Sequence, residues 1–497
     1  MIEQKTRSVP PRPSAMVESL RGLGYSTATA LADIIDNSIA AGANNVSLGF
    51  VWDNKASSIF VLDNGRGMTE QELVSAMRLG GISPKESRHP SDLGRFGLGL
   101  KTASFSQGRC LTVASKTNAG LFCFRWDLDA LADDEWSLYE GATLSGEGFL
   151  QRLNALPCGT LVLWEKLDRI VMAESSEQDF LDLMDVVERH LAMVFHRYLG
   201  ASLTIRINEK PIKPWDPFLS EHPATWSSPA ERINTPSGTI EVQCHVLPHK
   251  DRLDEKTYQT AAGPDGWTAQ QGFYVYRNAR LLVAGSWLGL GQGKMWAKEE
   301  AQKLARIRLD IPNSADDDWK IDIRKSVARP PPVVKSRLLR LAEDTRNRAR
   351  RVFAHRGQIV RIGQAQELLQ AWKVERSTSG LRYKIDEEHP AIKLVLEDAG
   401  HLGNSVRAML RVIEETIPVQ RIWLDTAEAH ETPRTGFGGK PPAEIQNVLR
   451  VLFKDLVGKK GMSASLAKEY LRQTEPFQLW TDLIDELTEE TLNEVAS

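Results

Sequence analysis

The sequence predicts an α+β protein: a sandwich of one sheet and one helical layer, then a second α/β unit, then a mainly helical region. Three observations predict it. Apolar residues recur at helical spacing over residues 15–43, where Leu31, Ile34, Ile35 and Ile39 mark a packed face. Alternating stretches follow at "NVSLGFVW" and "SSIFVLDNG", and later at "CLTVASK", "GLFCFRWDL" and "GTLVLWEKL", which read as strands. At 497 residues the chain exceeds what one hydrophobic core supports, so several domains are expected.

Taken in order, residues 1–14 are polar and proline-rich, an arm rather than an element. "TEQELVSAMRLG" reads as a short helix with Thr69 as N-cap and Glu72 three residues on, a capping box. "GISPKESRHPSDLGRFGLG" is a loop by composition, and "LKTASFS" starts a helix. The amphipathic run at 180–199 closes a first domain spanning 15–200. A second unit, 201–332, opens at "LTIRINEKPIKP" and continues through "GTIEVQCHVLP", "GFYVYRNARLLVAG" and "ARIRLDIP". Pro330, Pro331 and Pro332 interrupt the pattern. The remaining 333–497 reads as mostly helical, with an aromatic insertion at "AWKVERSTSGLRYKI", and suggests a docking or dimerising module for partner proteins. No internal repeat is visible.

Composition narrows the function classes. The chain is 41% hydrophobic and 26% charged, as in ordinary globular proteins. A net charge of -3 gives no global attraction to nucleic acid. Cys110, Cys123, Cys158 and Cys244 show no CxxC spacing, which argues against a metal knuckle and suits a reducing cytoplasm. The first residues lack the apolar run of a signal peptide, and no stretch is long enough to span a bilayer, so a cytoplasmic protein is expected.

Three stretches carry chemistry. In "LADIIDNSIAAGAN", Asp33 and Asn37 are four apart and lie on one helix face, although the helix packs a core. A buried unpaired carboxylate is costly, so that face meets either water or a ligand. "VLDNGRGM" puts Asp63 at a strand end before Gly65, Gly67 and Met68; by itself this is good turn chemistry. "DLGRFGLGLKTA" places Gly94, Gly97, Leu98 and Gly99 ahead of Lys101 at a helix start, where backbone N–H groups approach phosphates. It is neither a dinucleotide fingerprint nor a Walker A loop, because no strand feeds it and GxxxxGK[ST] is absent.

The order of these motifs, followed by a strand with Gly159 and Thr160, resembles the ATP-binding fold of the GHKL superfamily: DNA gyrase B, the Hsp90 chaperones, histidine kinases and MutL. "LADIIDNSI", "DNGRGM" and "GRFGLGLKTAS" are most similar to the MORC-like ATPases and their bacterial relatives. The resemblance covers roughly 15–330 and implies a Bergerat-type α/β sandwich followed by a transducer-like domain. It implies that Asn37 ligates Mg²⁺ through its carboxamide oxygen and that Asp63 accepts a hydrogen bond from the adenine amino group. Gly65 belongs to the same adenine turn, Gly67 leaves room for the base and Met68 packs on it. Thr160 helps to hold adenine. Gly94, Gly97, Leu98 and Gly99 belong to the phosphate loop, Lys101 adds charge there, and residues 79–96 correspond to the ATP lid. For Lys101, a solvated helix lysine is the other reading.

Two departures from the family pattern stand out. Asp33 occupies the position where ATPase members usually carry glutamate as general base; aspartate is one methylene shorter, and a small misplacement costs about a hundredfold in rate. Ala40 stands where MutL-like and Hsp90-like proteins often carry aspartate. The resemblance further implies a second-domain lysine that reaches the γ-phosphate. In "DWKIDIRKSVARPPP" Lys325 is the first choice for that role and Lys320 the second. Residues 324–361 carry Arg324, Lys325, Arg329, Lys335, Arg337, Arg340, Arg346, Arg348, Arg350, Arg351, Arg356 and Arg361 against Glu343 and Asp344, a candidate DNA-backbone contact or a solvated helix face.

These features lead to the expectation of a Mg²⁺-dependent ATP-binding protein and ATPase. Gated homodimerisation on ATP would act on DNA or a partner, and the bacterial relatives suggest phage defence. A chaperone-like ATPase and an ATP-binding switch with negligible hydrolysis are the alternatives. A sensor kinase is disfavoured, because no phosphoacceptor helix precedes the ATP motifs.

Overall fold

The computed structural model describes residues 12–22, 24–80, 99–133, 136–315, 318–322, 327–354, 369–377, 380–422 and 441–488. It divides the chain into two compact units, 1–358 and 359–497.

The helical run at 15–43 is two helices, α1 (Pro13–Arg21) and α2 (Thr27–Ala40). The break contains Gly24, whose φ of +71° ends any helix, and α2 restarts at Ser26, whose side chain accepts from the Thr29 N–H. Strands β1 (Asn45–Val51) and β2 (Ser58–Asp63) pair antiparallel. Helix α3 (Glu70–Met77) begins with the expected Thr69–Glu72 capping box, both reciprocal bonds being formed. Then come α4 (Gly99–Phe105), β3 (Cys110–Thr117), β4 (Gly120–Asp127), β5 (Tyr139–Glu140), α5 (Glu147–Asn154), β6 (Gly159–Glu165) and α6 (Glu177–Val194).

Among the described residues the first sheet runs β5-β4-β3-β6-β2-β1-β7-β8, with β7 (Thr204–Ile207) and β8 (Lys210–Pro211) at its edge. "LTIRINEKPIKP", expected to open the second unit, thus completes the first sheet: β7 pairs parallel with β1. Period-two alternation sorts the faces. Ile59 and Val61 of β2 join Leu31, Ile35, Leu73, Phe105 and Leu191 under the helical layer. Phe60, between them, points to the opposite face and packs with Leu161 and Leu163 beneath Leu153 of α5. The sheet is therefore partly covered on its second face as well.

The second sheet runs β10 (Glu231–Thr235), β11 (Gly238–Val246), β14 (Ala305–Ile311), β12 (Gly272–Arg277) and β13 (Arg280–Ser286), with the short β9 (Trp226–Ser227) on β11. Two short helices, α7 (Glu255–Ala261) and α8 (Gly266–Ala269), precede β12. "GFYVYRNARLLVAG" is a hairpin turning at Asn278–Ala279, both with positive φ (48° and 64°). One face of this sheet packs α9 (Pro332–Ala354) through Val334, Leu338, Ala342 and Ala349, a helical stripe. The opposite face adds Tyr274, Tyr276 and Leu281 to the first core. Helix α9 lies in the region expected to begin the C-terminal domain, yet its apolar stripe is buried on the second sheet.

The unit 359–497 is mainly helical: α10 (Pro390–Asp398), α11 (Gly403–Glu415), α12 (Ala443–Lys454), α13 (Ala464–Arg472) and α14 (Thr481–Asp485). Its core includes Leu394, Leu449, Phe453, Leu471 and Ile484. The aromatic insertion is the hairpin β15 (Trp372–Ser377) and β16 (Gly380–Ile385). No helix among the described residues is long and apolar enough to cross a membrane.

Candidate functional site

Helix α2 carries two buried carboxylates three residues apart. Asp33 is 5% exposed and Asp36 1%, while Asn37 is exposed. Buried carboxylates need compensation, and here it comes from two directions. The Tyr25 hydroxyl donates to Asp33 Oδ2 at 3.1 Å. Arg280 arrives from β13: its Nε lies 3.1 Å from both Asp36 oxygens, and its Nη2 lies 3.8 Å from Asp33 Oδ1. Burial and the neighbouring Asp33 charge raise the Tyr25 pKa, which keeps its proton on the hydroxyl. His190 of α6 has its pKa pushed down to about 4 by burial and by the Arg280 charge, so it stands neutral beside the ion pairs.

Asp63 ends β2 beside Thr160 in the register of β6. Ser38 Oγ donates to its Oδ2 at 2.7 Å and the Gly65 N–H to its Oδ1 at 2.8 Å. Burial raises its pKa, opposed by the hydrogen bonds from Ser38, Gly65 and Thr160. Three donors on a carboxylate with about four lone-pair sites leave capacity to accept one more. The Thr160 hydroxyl is 3.0 Å from Ser115 Oγ, which also receives the Met68 N–H at 2.8 Å. Ser115 thus ties the Met68 turn to the Thr160 strand. The requirement for glycine at 67 is local: φ is +70°, and a Cβ would lie 2.1 Å from the Lys116 carbonyl oxygen. At Gly65 a Cβ would meet the Ala41 methyl at 2.8 Å.

Gly99 opens α4. Gly94, Gly97, Leu98 and Lys325 lie outside the described residues. Lys101 is 3% exposed, and its Nζ donates to the carbonyls of Ala76 (2.8 Å) and Arg78 (2.9 Å) at the end of α3. Cationic groups are favoured at a helix C-terminus, where carbonyls lack partners. Burial pushes its pKa down to about 8. It is therefore an interior lysine rather than a solvated one. Lys320 is exposed, in a turn with φ +49° after the buried Trp319. Asp322, two residues on, adds to the upward shift of the Tyr25 pKa after burial and Asp33.

Asn37 is the residue here that could take a divalent cation. Among the described residues no group of three or more His, Cys, Asp or Glu is arranged to hold one. A single exposed carboxamide oxygen would suit Mg²⁺, a hard cation that takes oxygen ligands. In the basic segment, Arg337 pairs with Glu231, Arg346 lies against the rings of both Trp287 and Trp296, and Arg348 lies over Trp226. Arg329, Lys335, Arg340, Arg350 and Arg351 are exposed. Arg324, Arg356 and Arg361 are outside the described residues.

Sequence reasoning missed Tyr25, Ser38, Ser115 and Arg280. A local signal existed for Arg280: an arginine that heads the apolar run "LLVAG" needs a partner if buried. Nothing local names Asp36 as that partner.

Residues 25–160 match the family model described as histidine kinase-, DNA gyrase B- and HSP90-like ATPase. Over 88 residues the chain is 30% identical to the ATPase morc-1 of Caenorhabditis elegans, a stretch covering 18% of this chain and 10% of that protein. The chain thus spans about a tenth of the length of this curated relative. Of the residues named from the sequence for the nucleotide site, Lys320 and Lys325 lie beyond the matched 25–160 window and the others lie inside it.

Proposed function

We propose that this chain, which carries a GHKL-type ATP-binding domain over residues 25–160, binds ATP with Mg²⁺ and hydrolyses it, and that nucleotide state drives a conformational change or dimerisation that acts on DNA or a partner protein. One observation carries the reading. Asp33 and Asp63, on separate elements of the matched domain, are each buried, and each is oriented by a named donor, Tyr25 or Ser38.

In this reading Asp63 accepts the adenine amino group with its remaining lone pair, and Thr160 and Met68 flank the base. Backbone N–H groups at Gly97–Gly99 hold the phosphates. Asn37 would hold Mg²⁺, which would supply charge neutralisation at the phosphates. Asp33 accepts a proton from water as the water oxygen bonds to the γ-phosphorus and the bridging bond to the β-phosphate breaks; the proton then passes to solvent. Lys325, or Lys320, neutralises the γ-phosphate from the second domain. The exposed arginines of α9 are the candidate contacts to a DNA backbone, and the setting suggested by the bacterial relatives is cytoplasmic phage defence.

The short Asp33 side chain supports a second reading, a nucleotide-binding switch with negligible turnover. ATP hydrolysis with Mg²⁺, with and without DNA, decides between them. Asp33→Asn is expected to bind ATP while losing turnover by about a hundredfold or more. Asp63→Asn is expected to lose binding. Binding without turnover in the wild type, in both conditions, favours the switch. Undiminished ATP affinity in Asp63→Asn removes the adenine assignment.

A further inference from the structure

We propose that Arg280 is a positioning residue for Asp33: from the second sheet, anchored on Asp36, it fixes the carboxylate and links that sheet to the nucleotide helix. The inference rests on the reading of Asp33 as the base.

The hairpin geometry sets Arg280 in place. It follows the two-residue turn Asn278–Ala279 directly and pairs with Arg277 across the strands. A slip of one residue would turn its side chain to the other face of the sheet. The turn is itself held by the first domain, because the Tyr198 hydroxyl donates to the Asn278 carbonyl. Arg280 is 3% exposed and its guanidinium lies 5.7 Å from the centre of the Phe195 ring, so water does not screen it.

Its donors divide unequally. Nε serves both oxygens of Asp36, and Nη1 donates to the Leu281 carbonyl at 2.7 Å. Nη2 faces Asp33 Oδ1 at 3.8 Å, beyond hydrogen-bond length but within strong Coulomb range. Two like charges three residues apart on one buried helix would repel, and the interposed guanidinium removes that repulsion. Asp36 thus anchors Arg280, and Arg280 together with Tyr25 holds Asp33 from its two sides. Any movement of Asp33 toward a bound γ-phosphate is transmitted through this arginine to β13.

The test uses the full chain with Arg280→Met, Arg280→Lys and Asp36→Asn, beside wild type and Asp33→Asn. Affinity for a non-hydrolysable ATP analogue is expected to stay within about threefold, while kcat falls about tenfold or more in Arg280→Met and KM holds. Arg280→Lys should recover part of the loss, and Asp36→Asn should reproduce it. Hydrogen exchange adds a readout independent of turnover: the analogue should slow exchange across 272–286 in wild type but not in Arg280→Met. If Arg280→Met does not fold, the lysine and Asp36→Asn variants carry the comparison. A kcat within about twofold of wild type in all three variants, or an unchanged exchange response in them, overturns the proposal. Failure of the underlying reading shows separately, in wild type that binds no analogue or in Asp33→Asn that turns over normally; either result overturns both.

Discussion

Lys101 keeps an ammonium group in the interior, on the carbonyls of Ala76 and Arg78, with a pKa of about 8. Below that pH the folded and unfolded chains both hold the proton, and the folded state bears the desolvation cost. Between about pH 8 and the ordinary lysine value the unfolded chain retains a proton that the folded chain has released. Stability therefore rises with pH across this window, by about 3 kcal/mol at most. Urea melts at about pH 7 and about pH 10 should show the rise in wild type and its loss in Lys101→Met. Asp63 titrates in the opposite functional sense. Burial raises its pKa, so acidification should weaken ATP binding at a higher pH than an ordinary aspartate would dictate. Nucleotide titrations across pH would register this step; a pH-independent affinity would contradict the adenine role.

At the scale of elements, α9 shows how a basic sequence can be structural. Its residues Val334, Leu338, Ala342 and Ala349 pack on the second sheet, and Arg346 sits 4.8 Å from the Trp287 ring centre and 4.5 Å from that of Trp296. A guanidinium against two indoles gains cation–π attraction and buries its stem. Arg346→Ala should cost about 1–3 kcal/mol of stability in thermal or urea melts and leave ATP affinity unchanged. Among the exposed cations of the same helix, Arg340, Arg350 and Arg351 are the candidates for a phosphate backbone. DNA retention that drops steeply with salt, and drops again when these three become glutamate, is the expected signature.

For the whole molecule, the division at 358/359 separates a unit that holds both large sheets from a smaller, mainly helical one whose core includes Leu394, Leu449 and Phe453. Helix α2, its Tyr25 and Arg280 partners and both large sheets all lie in the first unit. Residues 1–358 produced alone should therefore fold and bind ATP with the affinity of the full chain, as measured by calorimetry. A chain ending at residue 332 would lack α9 and expose the face that it covers; it should aggregate or melt earlier.

Much of the site was legible because its signals are local. The Thr69–Glu72 box, the alternation of β2 and the helical stripe of α2 each reside in a window of a few residues, and each formed as read. The order of the motifs was itself enough to point to the kind of ATPase domain whose family model matches residues 25–160. Tertiary structure decided which charges meet. Arg280 is 244 residues from Asp36, Lys101 finds carbonyls on a different helix, and β7 crosses an expected boundary to pair with β1. Backbone periodicity and capping depend on neighbours along the chain, so sequence alone determines them. The pairing of buried charges depends on which elements the topology brings together, and no local pattern encodes that.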